Sequence, residues 1–214
     1  MDPLDRQTEY WDRVAEEKEF LHPLDAGVLR SLVPETARLL DFGCGYGRTC
    51  ADLAALGYEN VVGVDVSQGM IARGRRLHPG ADLRLLEGDG LPLAAGSFDA
   101  VLLFAVLTCV PTDDGQRALV AEIARVLRTG GILYVSDFLL QDDPRNQVRY
   151  AEFAAQYGKF GVFRLPEGVV VRHHSMDWID ELLSPFRRVA FGAVDVTTMN
   201  GNASKAFQYF GRKP

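Results

Sequence analysis

Leu39-Leu40-Asp41-Phe42-Gly43-Cys44-Gly45-Tyr46-Gly47-Arg48 decides how this chain folds. The apolar run Ala37 to Phe42 stops at three alternating glycines, and Arg48 to Leu56 then reads as a helix closed by Gly57. A short apolar run that ends at glycine is the signature of a buried strand. A glycine turn between strand and helix exposes backbone N–H groups and lets a ligand approach the main chain closely. A dinucleotide-binding loop would read GxGxxG, which requires glycine where Arg48 stands. The spacing here is GxGxG, with Asp41 two residues before the first glycine. A carboxylate in that place is unwelcome beside a pyrophosphate and suits an ammonium group, so the charge favours a cationic ligand bearing an amino acid. Taken alone, the triplet is equally a tight strand-to-helix turn.

Working outward, the same rhythm repeats. Asn60–Asp65 reads as a second strand, Gln68–Leu77 as a helix ended by His78-Pro79-Gly80, Asp82–Glu87 as a third strand and Phe98–Leu107 as a fourth. Thr112–Arg128 carries Leu119, Val120, Ile123, Val126 and Leu127 at helical spacing and stops at Gly130-Gly131, and Ile132–Phe138 is a fifth strand. Strands alternating with helices imply parallel crossover units. The expected fold is α/β, a doubly wound Rossmann-like sheet of seven strands with helices on both faces. It is mostly parallel with an antiparallel terminal strand, because Arg187–Val196 and Ser204–Gly211 flank the hairpin signal Asn200-Gly201.

Two further carboxylates fall at strand ends. Asp65 closes Val61-Val62-Gly63-Val64-Asp65, and Asp89 follows the third strand in Glu87-Gly88-Asp89-Gly90-Leu91-Pro92. An acidic side chain at the end of the second strand can grip both hydroxyls of a ribose. Asp65 could also cap the next helix, although Ser67 can do that instead. Asp41, Asp65 and Asp89 thus converge where an open α/β sheet binds ligands.

In these segments, together with Ser97-Phe98-Asp99-Ala100-Val101 and Leu127-Arg128-Thr129-Gly130-Gly131, the chain resembles the class I S-adenosylmethionine (SAM)-dependent methyltransferases. The resemblance runs from about Tyr10 to Phe138 and implies roles residue by residue. Asp41 with Gly43, Gly45 and Gly47 would hold the methionine end of SAM. Asp65 would bind the ribose, Val66 and Met70 would pack on adenine, and Asp89 with Gly90 and Leu91 would complete the adenine pocket. Phe104 and Ala105 would floor the sulfonium site, and Tyr10 would close over the cofactor. Family members often carry a histidine pair in the turn after the fourth strand; Thr108 and Cys109 stand there instead.

Methyl transfer from a sulfonium asks mainly for positioning and dryness, and for a base only where the acceptor carries a proton. Arg172-His173-His174 sits in an expected hairpin (Lys159–Arg164 and Gly168–His174) after the fifth strand. Strand alternation puts Arg172 and His174 on one face, so they could clamp an acidic acceptor and take its proton, with His173 on the other face. The competing description is a hairpin surface with an ordinary buried histidine. His22 and His78 stand beside prolines and read as surface or structural. Cys109 reads as a small buried residue.

The 214 residues are 47% hydrophobic, enough for one self-sufficient core, and the formal charge of −6 argues against nucleic-acid or anionic-membrane partners. Three scattered cysteines exclude a disulfide framework, and no metal site is expected. The first nineteen residues hold no apolar signal core, so the chain reads as cytoplasmic, with monomer and homodimer both open. The expected organisation is a single domain: a helical cover over 1–35, a SAM-binding core over 36–140, a helix and hairpin substrate cover over 141–174, and a terminal helix and strands over 175–214. The function expected is methyl transfer from SAM to a small molecule, by O- or N-methylation. The alternatives are an NAD(P)-dependent oxidoreductase and a non-catalytic SAM-binding module.

Overall fold

The computed structural model describes residues 2–87 and 92–214. After a 3-10 turn at Pro3–Asp5 the elements run α1 (Thr8–Arg13), α2 (Ala26–Leu32), β1 (Arg38–Phe42), α3 (Arg48–Ala55), β2 (Asn60–Asp65), α4 (Gln68–Leu77), β3 (Asp82–Leu85) and β4 (Phe98–Phe104). There follow a 3-10 turn at Leu107–Cys109, α5 (Asp113–Val126), β5 (Leu127–Phe138), α6 (Pro144–Tyr157), β6 (Val162–Arg164), β7 (Val170–Arg172), α7 (Met176–Leu182), β8 (Arg187–Thr197) and β9 (Ala203–Arg212).

Seven strands form one sheet in the order β3-β2-β1-β4-β5-β9-β8, and β6 pairs with β7 in a separate hairpin. The pairs among β1 to β5 are parallel, whereas β9 runs antiparallel to both β5 and β8. The antiparallel strand is the last of the chain, yet it lies inside the sheet, because β8 occupies the rim beyond it. The chain winds from β1 out to β2 and β3, then crosses back to place β4 on the other side of β1 and β5 beyond it. That makes the carboxyl ends of β1 and β4 the switch point where a crevice opens.

Alternation along the strands builds two cores. Leu40, Val101, Leu103, Leu133 and Val135 pack against Val120, Ile123 and Val126 of α5 and Trp178, Ile179 and Leu182 of α7. Leu39, Ala100, Leu102, Ile132 and Tyr134 face the other way, onto Leu29 of α2 and Leu53 of α3. Helix starts follow side-chain caps: Ser67, Thr112, Asp143 and Ser175 accept from Met70, Gly115, Asn146 and Trp178 backbone N–H groups.

Two elements differ from the sequence reading. Within the expected helical cover, Leu4 to Phe20 reads from sequence as one amphipathic helix with Tyr10, Trp11, Val14 and Phe20 toward one side; the structure has only the short α1 there. At its start the Gln7 side chain pairs both ways with the Val170 backbone, at 2.8 and 2.7 Å, and holds Gln7 at φ +26°. At its end the Arg73 guanidinium takes the carbonyls of Ala15 and Lys18, at 2.8 and 2.7 Å, so they are drawn to a cation from another element. The fourth strand, expected to reach Leu107, stops at Phe104 because Ala105 adopts φ +54°. A non-glycine residue in that region costs on the order of 1 kcal/mol and persists where its surroundings hold it. The hold here is Ala105 N–H donating to Ser136 O at 2.8 Å.

Gly74 of α4 is where helix meets glycine loop. A Cβ there would stand 2.9 Å from the Tyr46 carbonyl oxygen and 2.5 Å from Leu83 Cδ1. Gly74→Ala is expected to lower unfolding free energy by about 1–3 kcal/mol, since backbone must shift to admit the methyl. Gly80→Ala, where nothing lies within 4 Å, should stay within about 0.5 kcal/mol of the parent. Urea denaturation of the two variants checks the contrast.

Candidate functional site

The glycine loop closes on itself before it meets anything else. Gly43, Gly45 and Gly47 have φ of +73°, +54° and +79°, a region that L side chains rarely adopt. Added Cβ atoms at Gly43 and Gly45 would stand 2.6 Å from Val106 Cγ2 and 2.7 Å from Phe20 Cε2, so neither position has room for a side chain. Asp65 fixes the loop from β2: its carboxylate accepts Gly45 N–H and Ser67 N–H, each at 2.8 Å.

Beside the loop lies a cavity of about 490 Å³. Of the residues expected to hold a cofactor, Asp41, Gly43, Gly45, Asp65, Val66, Met70, Phe104 and Ala105 all line it. Gly47 does not; it is the N-cap of α3 and packs on Leu83. Tyr10 is buried in a cluster with Met70, Tyr150 and Phe163, while its neighbour Trp11 and Phe20 face the cavity. The Tyr10 hydroxyl has no hydrogen-bond partner among the described residues, and burial pushes its pKa up to about 12. Asp89, Gly90 and Leu91 lie outside the described residues.

Asp41 is 1% exposed, and its carboxylate receives one hydrogen bond among the described residues, from the Cys50 thiol at 3.4 Å. Burial pushes it up to about 7. Burial raises Asp65 as well, against the pull of its backbone donors. A cation arriving in the cavity would therefore meet two carboxylates short of positive partners.

The hairpin trio separates. Arg172 is absent from the cavity wall; its guanidinium pairs with Asp113 at 2.7 Å and donates to Pro111 O at 3.1 Å. His174 is fully enclosed with both ring nitrogens engaged. Nδ1 donates to Phe138 O at 3.0 Å, which leaves Nε2 as the acceptor for the Gln116 amide at 2.9 Å. Burial, then the nearby Arg172 charge, lowers its pKa to about 3. The expected clamp of Arg172 with His174 is thus corrected: strand alternation places them on one face, but that face packs on α5 and the end of β5. His173 does line the cavity. Its Nδ1 lies 2.5 Å from the Tyr150 hydroxyl, which itself accepts Gln141 N–H at 3.2 Å, so Tyr150 donates and the ring hydrogen sits on Nε2.

His22 is the residue the sequence reading passed over. It is 4% exposed, lines the cavity, holds Ser136 Oγ at 3.1 Å through Nδ1, and has a buried Nε2 with no partner. Burial and the Arg48 charge lower its pKa to about 4. The sequence signal was weak, because a lone histidine before proline is usually a turn residue. Arg145 and Arg149 of α6 also reach the wall, and their i, i+4 spacing on an expected helix was the available clue. Cys109 lines the cavity too, with its thiol bonded to Ala105 O at 3.2 Å and its pKa pushed well up by burial.

Residues 40–135 match the family described as a methyltransferase domain. Over 159 residues the chain is 36% identical to a demethylmenaquinone methyltransferase of Beutenbergia cavernae, covering 68% of this chain and 60% of the relative. It is 30% identical over 185 residues to an O-methyltransferase of Penicillium expansum, covering 82% of this chain and 59% of that protein. The chain thus spans about three-fifths of these relatives' lengths. Among solved structures, a SAM-dependent methyltransferase from Methanosarcina mazei superposes with a TM-score of 0.81 at 24% identity, over 87% of this chain and 96% of that one.

The enclosed His174 is expected to carry stability. His174→Ala removes the ring's hydrogen bonds to Gln116 and Phe138 O and leaves a cavity in a dry site. Although Gln116 keeps Leu107 O and Val110 O, and Phe138 O keeps the backbone N–H of residue 174, unfolding free energy should fall by about 2–4 kcal/mol. Calorimetric unfolding measures this, and affinity for the cofactor product should stay unchanged in the folded variant.

Proposed function

We propose that this chain, whose residues 40–135 are a methyltransferase domain of the class I fold, binds SAM beside the glycine loop and moves its methyl group to a small-molecule acceptor. One observation carries the reading: a buried carboxylate, Asp41, which makes no ion pair with a described residue and feels only the Arg48 charge from nearby, stands next to a main chain stripped of side chains. An α-ammonium group supplies the missing charge there, and a pyrophosphate would oppose it.

The residues present fit the group. Asp41 would hold the ammonium, Asp65 would add the ribose hydroxyls to the backbone donors it already accepts, and Val66 and Met70 would flank the adenine. When bound, SAM supplies a methyl group on a positively charged sulfur. Phe104 and strained Ala105 would form the floor under that sulfur, and Trp11, Phe20 and Phe138 would keep water from it. His22 takes the part once expected of His174. In the tautomer that gives Nδ1–H to Ser136 Oγ, the Nε2 lone pair of this cavity-wall residue has no partner among the described residues and would accept the proton of an acceptor O–H or N–H. The acceptor class is a small molecule, as in the name of the Beutenbergia cavernae relative, and the described residues include no helix long and apolar enough to cross a membrane.

Titration calorimetry with S-adenosylhomocysteine tests the cofactor reading. The ligand prefers ionised Asp41, which in the free protein is half-protonated near pH 7. Affinity should therefore fall up to about tenfold per pH unit below 7, with a proton released on binding and visible as buffer-dependent heat. Asp41→Asn should weaken binding and remove the buffer dependence. Tighter association with NAD than with S-adenosylhomocysteine would overturn the reading.

Turnover tests His22. Because its protonation falls near pH 4, the rate should be level from about pH 6 to 8 on account of this group. His22→Gln should slow kcat about 100-fold or more while leaving the SAM KM nearly unchanged. An unchanged kcat removes His22 from the mechanism.

A further inference from the structure

The half of the cavity away from the glycine loop has its own chemistry. It is walled by Phe138 at the end of β5, by Arg145 and Arg149 on α6, and by Phe163 and His173 on the hairpin. These groups form a continuous row. The Arg149 guanidinium lies 3.7 Å from the Phe163 ring centre, Phe163 meets His173 edge-on at 5.0 Å, and His173 stacks on Phe138 at 5.2 Å. His22 meets the far edge of Phe138 at 4.7 Å.

The polar groups of this row are donors. His173 carries its hydrogen on Nε2, as Tyr150 dictates. Arg149 makes no ion pair with any described residue, and its Nε is buried without a hydrogen-bond partner. Arg145 has only Asp143, at 3.8 Å, which is already occupied in capping α6. The carboxylates that line the cavity belong elsewhere. Asp41 and Asp65 flank the glycine loop, Asp5 is bonded to Thr112, and Glu122 is paired with Arg125. The two arginines of the hairpin play no part. Arg172 is tied to Asp113, and Arg164 is exposed and outside the cavity wall.

We propose that the acceptor is a planar aromatic molecule bearing one carboxylate, held by the Arg149 fork with Arg145 adding charge, its ring against Phe138 and Phe163. This deepens the methyltransferase reading by naming the acceptor class. A guanidinium presents Nε–H and Nη–H in parallel and matches the two oxygens of a carboxylate, and its stacking on Phe163 holds the fork in one plane. Flat rings with stacked and edge-on neighbours accommodate another flat ring. A neutral acceptor would leave the buried Arg149 Nε–H unmatched, so the site selects for charge.

The test separates this proposal from the cofactor reading, since S-adenosylhomocysteine is titrated first and on its own. The loaded protein is then titrated with the three monohydroxybenzoates and their matching hydroxybenzamides, followed by calorimetry and by quenching of Trp11 on the cavity wall. At least one carboxylate should bind tenfold or more tightly than its amide. Arg149→Gln should reduce that preference to within twofold, and Arg149→Lys should retain part of it. Arg164→Gln should leave the preference intact. Unchanged S-adenosylhomocysteine affinity in each variant certifies the fold. Equal binding of acids and amides, no binding of any of the six probes, or a preference that survives Arg149→Gln would each overturn the proposal. Absent S-adenosylhomocysteine binding would instead sink the cofactor reading, and the acid-against-amide comparison can still be read without it.

Discussion

Everything at the site depends on a stretch of main chain kept bare. Asp65 holds Gly45 through its N–H, Val64 O takes the N–H groups of Gly43 and Cys44, and Val106 and Phe20 occupy the space that side chains at Gly43 and Gly45 would need. The loop is thus fixed from β2 on one side and from the turn after β4 and the N-terminal segment on the other. Because β1 and β4 are the strands where the winding reverses, those supports lie on both sides of the crevice. The same carboxylate that organises the loop is left partly available to a ligand, so cofactor affinity and loop geometry share one residue.

The cover over the crevice is tied down by long-range polar contacts more than by secondary structure. Gln7 pairs with Val170, Lys18 bridges Glu167 of the hairpin turn to Asn200 of the β8–β9 loop, and Arg172 reaches Asp113. Three segments far apart in sequence therefore meet around one lysine. The Gln7 hydrogen bonds and the partly buried Lys18–Glu167 pair are each worth on the order of 1 kcal/mol. A cover built from them opens at low cost, which an enclosed site needs for entry and exit of ligands. Arg172 is the exception, since its pair is largely buried and anchors β7 to α5.

What could be read in the sequence follows the same division. Strands β1 to β5 were legible because short apolar runs alternate with helical stretches that stop at Gly57, at His78-Pro79-Gly80 and at Gly130-Gly131, and the half proposed for the cofactor was legible because Asp41, the glycine triplet and Asp65 sit within one strand-turn-helix-strand stretch. The acceptor half was not. His22, Phe138, Arg149 and His173 come from four separate segments, and no local pattern brings them together. The Arg172-His173-His174 reading failed for a related reason: alternation says which residues share a face, but not whether that face meets a cavity or a helix. The N-terminal helix was overextended because the groups that interrupt it, Arg73 and the Val170 backbone, are distant in sequence.

Charge arranges the cavity into two unlike halves. Among the described residues Asp41 and Asp65 make no ion pair beside the loop, where Arg48 is the nearby charge, whereas Arg145 and Arg149 face the opposite half with one carboxylate, Asp143, near them both. Each half alone carries a desolvation cost that one ligand of the right sign relieves. On the proposed reading, a cationic donor with an amino-acid tail fills the first and an anionic acceptor the second. Their opposite charges also attract across a water-poor space where screening is weak. The sulfonium loses its charge as the methyl moves. Product pairs are then held less strongly than substrate pairs, and the site favours release after transfer without any added device.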